Sequence, residues 1–157
     1  PSDAHPEQPT AGQPATNRGG QSRGLSIGIL IFTVAVCMLV GIFLLTGEVR
    51  VSTTAEGLHI DATYWRNNTI AYSAIHAVGY VEDLPLGSRT NGYGGFRTAL
   101  GNFRNERFGD YRLYSYVGCK SYVVLQTDDG VTVINAIDDQ ATRSLYTAIA
   151  EKIDQMQ

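Results

Sequence analysis

His59 and Asp61 are the two side chains best spaced for acid–base chemistry. They lie two residues apart in Gly57–Ala62, where apolar and polar residues alternate, so on a strand they share one face. A carboxylate beside an imidazole can orient it as a general base. The same alternation places both on the solvent side, opposite Leu58 and Ile60, as on an ordinary exposed strand. The sequence holds no HExxH or CxxC motif. We therefore predict no catalytic residue, no metal site and no cofactor.

A basic segment in the middle of the chain could bind an anion. Residues 87–120 hold six basic residues against two acidic ones, whereas the stretches on either side are acidic. The glycines of Gly92–Gly95 would let backbone N–H groups approach a phosphate, with neighbouring arginines adding charge. The segment lacks the length and the Lys-Ser/Thr ending of a P-loop, and the glycines equally suit a bulge or a tight bend. The candidate binding residues are Arg89, Gly92, Tyr93, Arg97, Arg104 and Arg107.

Aromatic residues concentrate in the same segment, and tyrosine together with arginine is enriched in binding surfaces. Aromatic side chains also fill small β-barrels, and strand alternation would point about half of them inward. We expect a partner surface within Arg89–Lys120. The aromatic residues are Tyr93, Phe96, Phe103, Phe108, Tyr111, Tyr114, Tyr116 and Tyr122.

Charge and cysteine content exclude several classes of protein. The 157 residues carry 12 Lys+Arg against 15 Asp+Glu, a net charge of −3 without the basic footprint of a nucleic-acid binder, so we predict no nucleic-acid partner. Two cysteines, Cys37 and Cys119, make neither a disulfide scaffold nor a Cys-rich metal site. We interpret Cys37 as a packing residue of an apolar run and Cys119 as a structural thiol.

The N-terminal part combines a polar tail with an apolar run. Residues 1–23 contain no Val, Ile, Leu, Phe, Tyr or Trp, which predicts a disordered tail. Residues 24–47 carry no formal charge, and a helix over Leu25–Leu45 would cover the ~30 Å hydrocarbon layer of a bilayer. A signal peptide has a shorter apolar region, and a buried core helix needs a larger protein around it. We predict one transmembrane helix over 24–47 that contacts lipid through Leu25–Leu45. Gly24 and Gly28 have the small-xxx-small spacing that permits self-association of such helices.

The flanking charges predict an orientation for this helix. Within ~15 residues, Arg18 and Arg23 precede it and Arg50 alone follows it. The positive-inside tendency then places the C-terminal domain outside the cytoplasm at the cell membrane. A window of ~20 residues adds Arg66 and makes the two sides equal.

Residues 48–157 predict a β-rich domain, because short alternating segments are separated by turn-forming residues every ~8–12 residues. Such a pattern is typical of an antiparallel sandwich or barrel. The predicted strands are Glu48–Thr53, Gly57–Ala62, Thr69–Tyr72, Ile75–Val81, Gly94–Leu100, Asn102–Phe108, Tyr111–Val117, Ser121–Gln126 and Val131–Asn135.

The last segment of the domain changes from a strand period to a helix period. Asp138 is the predicted N-cap, and Asp139 suits the positive end of the helix dipole. One amphipathic helix after a run of strands must lie on a sheet, so we predict a helix that closes one end of a curved antiparallel barrel. Its apolar stripe is Ala141, Leu145, Ala148, Ile149, Ile153 and Met156.

Several further residues carry a family resemblance over about residues 48–156. They are Arg89-Thr-Asn-Gly92, Gly101-Asn-Phe103, Gly109, Leu113-Tyr114 and Val131-Thr-Val-Ile134-Asn. Their order resembles that of the bacterial pleckstrin-homology (PH-like) domain family of membrane-anchored proteins. The resemblance implies a curved antiparallel barrel or sandwich capped by one C-terminal helix, and it implies architecture more than activity. Many such relatives carry two membrane spans, whereas this chain shows one.

We therefore predict a single-pass bacterial membrane protein whose PH-like domain is a non-catalytic interaction or scaffolding module for a protein partner. The alternative is a sensor of anionic lipids or small anions that uses the basic middle of the domain. PH domains that bind phosphoinositides use basic residues in the first hairpin. Here that hairpin, Val51–Leu58, carries Glu56, so we predict no specific inositide binding. The strand edges of an incompletely closed barrel offer a second surface, by addition of a partner strand.

Overall fold

The computed structural model describes residues 21–156, with side chains from Ile27 onward. The predicted disordered tail lies outside the described residues, except for residues 21–23. These three residues begin helix α1 (Gln21–Leu45), which therefore starts before the predicted boundary at residue 24. The chain divides into two compact units between Met38 and Leu39.

Helix α1 is long and apolar enough to cross a membrane. Ile27–Leu45 spans 19 residues with a mean hydropathy of 2.9, and none of this stretch is buried. Its polar Thr33 donates its hydroxyl to the carbonyl of Ile29 at 2.9 Å, so the side chain is satisfied within the helix. Length and composition fit a membrane span, and a signal sequence near the N-terminus would share them.

From Thr46 to Met156 the described chain forms nine β-strands in two sheets, followed by one α-helix. A three-stranded sheet has the order β1-β2-β3, and a six-stranded sheet has the order β4-β8-β9-β7-β6-β5. Described neighbouring strands are antiparallel except β7 and β9, which are parallel. The elements are β1 (Val49–Thr53), β2 (Gly57–Ala62), β3 (Asn68–Ala71), β4 (Ile75–Glu82), β5 (Ser88–Gly94), β6 (Thr98–Asn105), β7 (Gly109–Tyr116), β8 (Ser121–Thr127), β9 (Gly130–Ile134) and α2 (Asp139–Asp154). The predicted mainly β fold with a C-terminal helix is confirmed.

Both faces of the six-stranded sheet are buried. One face packs against the three-stranded sheet and α2, around fully buried Leu58, Leu100 and Ile149. The other face holds Leu113 and Val133 among its buried residues and is covered by the connection from β4 to β5. Since β4 and β5 are opposite edges of the sheet, this connection links the two edges across that face. Each fully buried leucine contributes roughly 1.5–3 kcal/mol through removal from water.

Two predicted strands, Gly94–Leu100 and Asn102–Phe108, are wrong. The structure has β5 ending at Gly94, a turn after it, and one continuous β6 from Thr98 to Asn105 that passes through Gly101. Gly101 lies directly opposite Gly92, and both have positive φ. The two glycines permit a close approach of strands inside a hairpin, whereas the sequence pattern assigned Gly101 to a break between strands.

The C-terminal helix α2 follows the prediction closely. The Asp138 carboxylate accepts a hydrogen bond from the backbone N–H of Ala141 at 2.7 Å, which is the predicted N-cap. Buried Ile149 lies on the apolar stripe that faces the sheet. The Asp139 carboxylate accepts from the N–H groups of Lys120 and Ser121 at 3.1 and 3.0 Å and so ties the start of β8 to the helix.

Candidate functional site

The six predicted binding residues do not form one patch. Arg89, Gly92 and Tyr93 lie on β5, and Arg97 lies in the turn that leads to β6. Arg104 and Arg107 lie at the far end of β6 and in the turn after it. An eight-residue strand covers roughly 26 Å, so the β5–β6 turn and the β6–β7 turn are at opposite ends of the sheet.

The arginines of the β6–β7 end have partners within the domain. Arg104 donates two hydrogen bonds of 2.7 Å to the two carboxylate oxygens of Asp110 on β7. This pairing holds the pKa of the Asp110 carboxyl below its usual range. The Arg107 guanidinium lies 5.2 Å from the centre of the Phe108 ring. Because Asp110 already accepts two of its N–H donors, Arg104 has fewer free hydrogen-bond donors for a ligand than the sequence alone suggests.

The backbone geometry of the hairpin explains why glycine occupies position 92, and this explanation needs no ligand. Its φ is +136°, and a Cβ at this position would lie 2.5 Å from the Cα of Gly101 and would also overlap the carbonyl oxygen of Leu100. A Cβ at Gly94 would overlap the guanidinium of Arg89, which lies over that glycine. The glycines therefore allow the β5–β6 hairpin to form, and phosphate binding by their N–H groups stays a prediction.

Tyr93 belongs to a junction between the hairpin and the end of α1. The rings of Phe43, Tyr64 and Tyr93, which we name the aromatic junction, have centroids 4.3 to 5.1 Å apart. The last carbonyls of a helix lack partners inside the helix. Here the Tyr93 hydroxyl donates to the carbonyl of Phe43 at 2.7 Å, and the N–H of Phe96 donates to the carbonyl of Leu44 at 3.2 Å. Burial raises the pKa of the Tyr93 hydroxyl, with Tyr64 adding to the effect.

Strand β5 is an edge of the six-stranded sheet. Among the described strands it pairs only with β6, and six of its seven residues are exposed. Its register is interrupted between Arg89 and Asn91, which leaves Thr90 as a bulge. An exposed edge presents unpaired backbone N–H and C=O groups that another strand can pair with.

His59 and Asp61 do share a face, as the alternation predicts. The Nε2 atom of His59 lies 3.2 Å from a carboxylate oxygen of Asp61, and Nδ1 lies 2.8 Å from the hydroxyl of Thr69 on β3. Both side chains of the pair are 44% exposed, on the open face of the three-stranded sheet. A substrate bound there would remain in water, which weakens electrostatic catalysis. Within residues 21–156, no three His, Cys, Asp or Glu side chains come close enough to hold a metal ion.

Cys119 is a buried thiol with several polar neighbours. Its Sγ donates to the carbonyl of Ser121 at 3.3 Å and lies at the same distance from the hydroxyl of Thr142 and from Asp139. Burial raises the pKa of the Cys119 thiol above its ordinary value. A buried thiol with a raised pKa is a poor nucleophile, as expected of a structural cysteine.

Sequence reasoning missed a polar cleft between the β2–β3 connection and strands β5 to β7. The cleft has a volume of about 350 Å³, and its walls include Arg66, Asn91, Asn102 and Arg112. Arg66 and Arg112 lie far apart in the sequence, and they line the same cleft only because the two sheets pack together. No local motif joins them, so no sequence signal could have found this site.

One family model matches the chain, and its description is Bacterial PH domain. The match covers residues 49–141, which runs from the first residue of β1 into the first turn of α2. Comparisons with curated proteins and with solved structures find no match.

Proposed function

Because the chain belongs to the bacterial PH domain family, we propose that it is a membrane-tethered, non-catalytic interaction module that docks a protein partner beside the bilayer. PH domains are generally non-catalytic modules that bind lipids or proteins. The observation that carries the proposal is that β5, an edge of the six-stranded sheet, is also the strand that holds the end of α1.

The tether is supported by the apolar helix and by its connection to the domain. Ile27–Leu45 fits a single membrane span, and only Thr46, Gly47 and Glu48 separate α1 from β1. The aromatic junction fixes the last turn of the helix to the β5–β6 hairpin. In a membrane the turn would then lie at the lipid–water interface, where the 73% exposed ring of Phe96 and the adjacent Arg97 suit the environment.

The partner surface is supported by the exposed edge of β5. A partner segment can add to this edge as a further strand, with main-chain hydrogen bonds giving affinity and side chains such as Arg89 giving specificity. Tethering raises the effective concentration of the domain toward other membrane-bound proteins, so weak contacts suffice. We place the domain outside the cytoplasm on the basis of Arg18 and Arg23, which precede the helix.

Site-specific photo-crosslinking in cells tests the proposed surface. A photoreactive residue replaces Thr90, which is exposed at the β5 edge, or Thr147, which is exposed on α2 and serves as the matched control. We expect a discrete adduct in the membrane fraction from position 90 and none from position 147. We also expect Arg97→Glu to weaken the adduct, because Arg97 follows the β5 edge in the same hairpin.

Three outcomes would contradict parts of the proposal. Equal adducts from both positions would show that β5 has no special role. Recovery of the chain in the soluble fraction would refute the tether, and a C-terminal reporter active only in the cytoplasm would reverse the orientation. An adduct between two copies of the chain would make the partner a second copy, in line with the predicted self-association of α1.

A further inference from the structure

We propose that the polar cleft between the β2–β3 connection and strands β5 to β7 is a binding site for a phosphate group. The residues that would hold it are Arg66 and Arg112, with the amides of Asn91 and Asn102. The site differs from the glycine-rich segment predicted from the sequence. It does not require the tether, so the proposed function and this site can fail separately.

A polar row of the six-stranded sheet lies at this cleft, between buried apolar residues on one side and the Arg104–Asp110 ion pair on the other. Asn91, Asn102 and Arg112 lie side by side on β5, β6 and β7, paired in register on the same face. The next row on that face contains Leu100 and Tyr114, both of which are buried. Among the described residues, the amides of Asn91 and Asn102 form no side-chain hydrogen bond, so their donors are available to a ligand.

Two arginines line this cleft, Arg112 from the row itself and Arg66 from the β2–β3 connection. Arg112, half-buried on β7, donates only one hydrogen bond among the described residues, to the carbonyl of Asp129 at 3.3 Å. Arg66 forms no ion pair with a described carboxylate, and neither does Arg112. The Tyr114 hydroxyl donates to the carbonyl of Arg66 at 3.1 Å, which fixes the backbone beside the cleft.

The electrostatics of the cleft favour an anion. Its described lining includes two arginines and no carboxylate. Both arginines act on the buried Tyr114 hydroxyl, where their positive charges partly offset the rise in its pKa caused by burial. Guanidinium groups recognise phosphate oxygens through paired N–H donors, and carboxamide groups add further donors.

An unpaired buried donor and the volume of the cleft are both consistent with a small polar occupant. The amide nitrogen of Asn68 is buried and has no hydrogen-bond partner among the described residues, an arrangement that costs free energy unless an acceptor reaches it. Trp65 lines the cleft beside Arg66. A volume of about 350 Å³ lies at the lower end of ligand-binding sites, which suits a phosphate with a small attached group.

Trp65 provides the measurement, because it is the only tryptophan of the chain. The full chain in neutral-detergent micelles is titrated with inorganic phosphate at constant ionic strength, with chloride as the reference anion. We expect a saturable change in Trp65 fluorescence. Arg66→Gln and Arg112→Gln should each weaken phosphate affinity by about tenfold or more, because each removes charge-assisted hydrogen bonds. Arg143→Gln removes the same charge from the exposed side of α2, which does not line the cleft, and should leave the affinity unchanged.

A second arm distinguishes a lipid headgroup from a free phosphate compound. The chain is placed in nanodiscs that contain either phosphatidylglycerol or uncharged lipid only. If a lipid headgroup occupies the cleft, phosphatidylglycerol shifts the fluorescence without added phosphate and weakens the response to inorganic phosphate. If the ligand is a free phosphate compound, the titration is the same in both nanodiscs.

The proposal is overturned if no arm gives a saturable response, or if Arg143→Gln weakens the response as much as Arg66→Gln does. The exposed Arg66 variant keeps the test independent of folding, because Arg112 is half-buried and its replacement could disturb the sheet. Thermal unfolding of each variant identifies such a disturbance.

Discussion

Replacing Gly92 with alanine should destabilise the domain, because the new Cβ meets the opposite strand of the hairpin. At a φ of +136°, a non-glycine residue carries a strain of roughly 1–3 kcal/mol. The Cβ would also lie 2.5 Å from the Cα of Gly101 and overlap the carbonyl of Leu100, so β5 and β6 must move apart. We expect a total loss of about 3 kcal/mol in the free energy of unfolding. For a domain of this size, that lowers Tm by roughly 12 °C or more.

Gly118 provides the matched control for this substitution. A Cβ at Gly118 would contact nothing within 4 Å, and its φ is not positive. Gly118→Ala should therefore change the stability by no more than about 0.5–1 kcal/mol. Thermal unfolding of the full chain in detergent, followed by circular dichroism, compares the two variants with the parent.

The result that would refute the reasoning is a Gly92→Ala variant with unchanged Tm. If that variant also lost affinity for phosphate, the glycines would act through their backbone N–H groups, as the sequence pattern suggests. A large fall in Tm assigns Gly92 to the architecture of the hairpin instead.

Three further predictions concern the core and helix α2. Leu113→Ala removes a fully buried side chain and should cost about 2–5 kcal/mol, measured by denaturant unfolding. Asp138→Ala removes the N-cap hydrogen bond and should cost about 1 kcal/mol, while Asp138→Asn should retain most of the stability. The side chains of Ser121 and Cys119, followed by the N–H groups of Ser121 and Lys120, lower the pKa of Asp139 in the folded state. Its stabilising effect is then present above a pH of about 4 and is lost as the pH falls through the lowered folded value. Asp139→Asn should reduce the loss of stability at acid pH. An unchanged pH dependence of stability would contradict this role of Asp139.

The sequence predicts the strands that are rich in apolar residues and are bounded by turn residues. β2, β4 and β8 lie within a residue of their predicted bounds, because each carries several apolar residues and turn residues flank them. The cap of α2 is equally local, since a single carboxylate reaches the first turn. The matched family model also confirms the resemblance drawn from glycine and aromatic spacing.

The β5–β6 hairpin could not be found in this way. Most of Ser88–Gly94 is exposed, so the strand has no apolar alternation, and the Gly92–Gly101 contact joins residues on two strands. The hydrogen bond from Tyr93 to the end of α1 likewise depends on tertiary packing, and so does the presence of Arg66 and Arg112 in one cleft. Non-local geometry of this kind leaves no periodic trace in the sequence.

The order of strands in the large sheet also determines when each part can fold during synthesis. β1 to β3 pair with their neighbours in the chain, and so do β5 to β7. β4 has no such neighbour, because its partner is β8, whose first residue, Ser121, comes 39 residues after Glu82. At a synthesis rate of roughly 5–20 residues per second, Ser121 is added on the order of 2–8 s after Glu82. A ribosome that stalls before Ser121 would therefore leave an unpaired, half-apolar strand exposed, which quality-control proteases and chaperones could recognise.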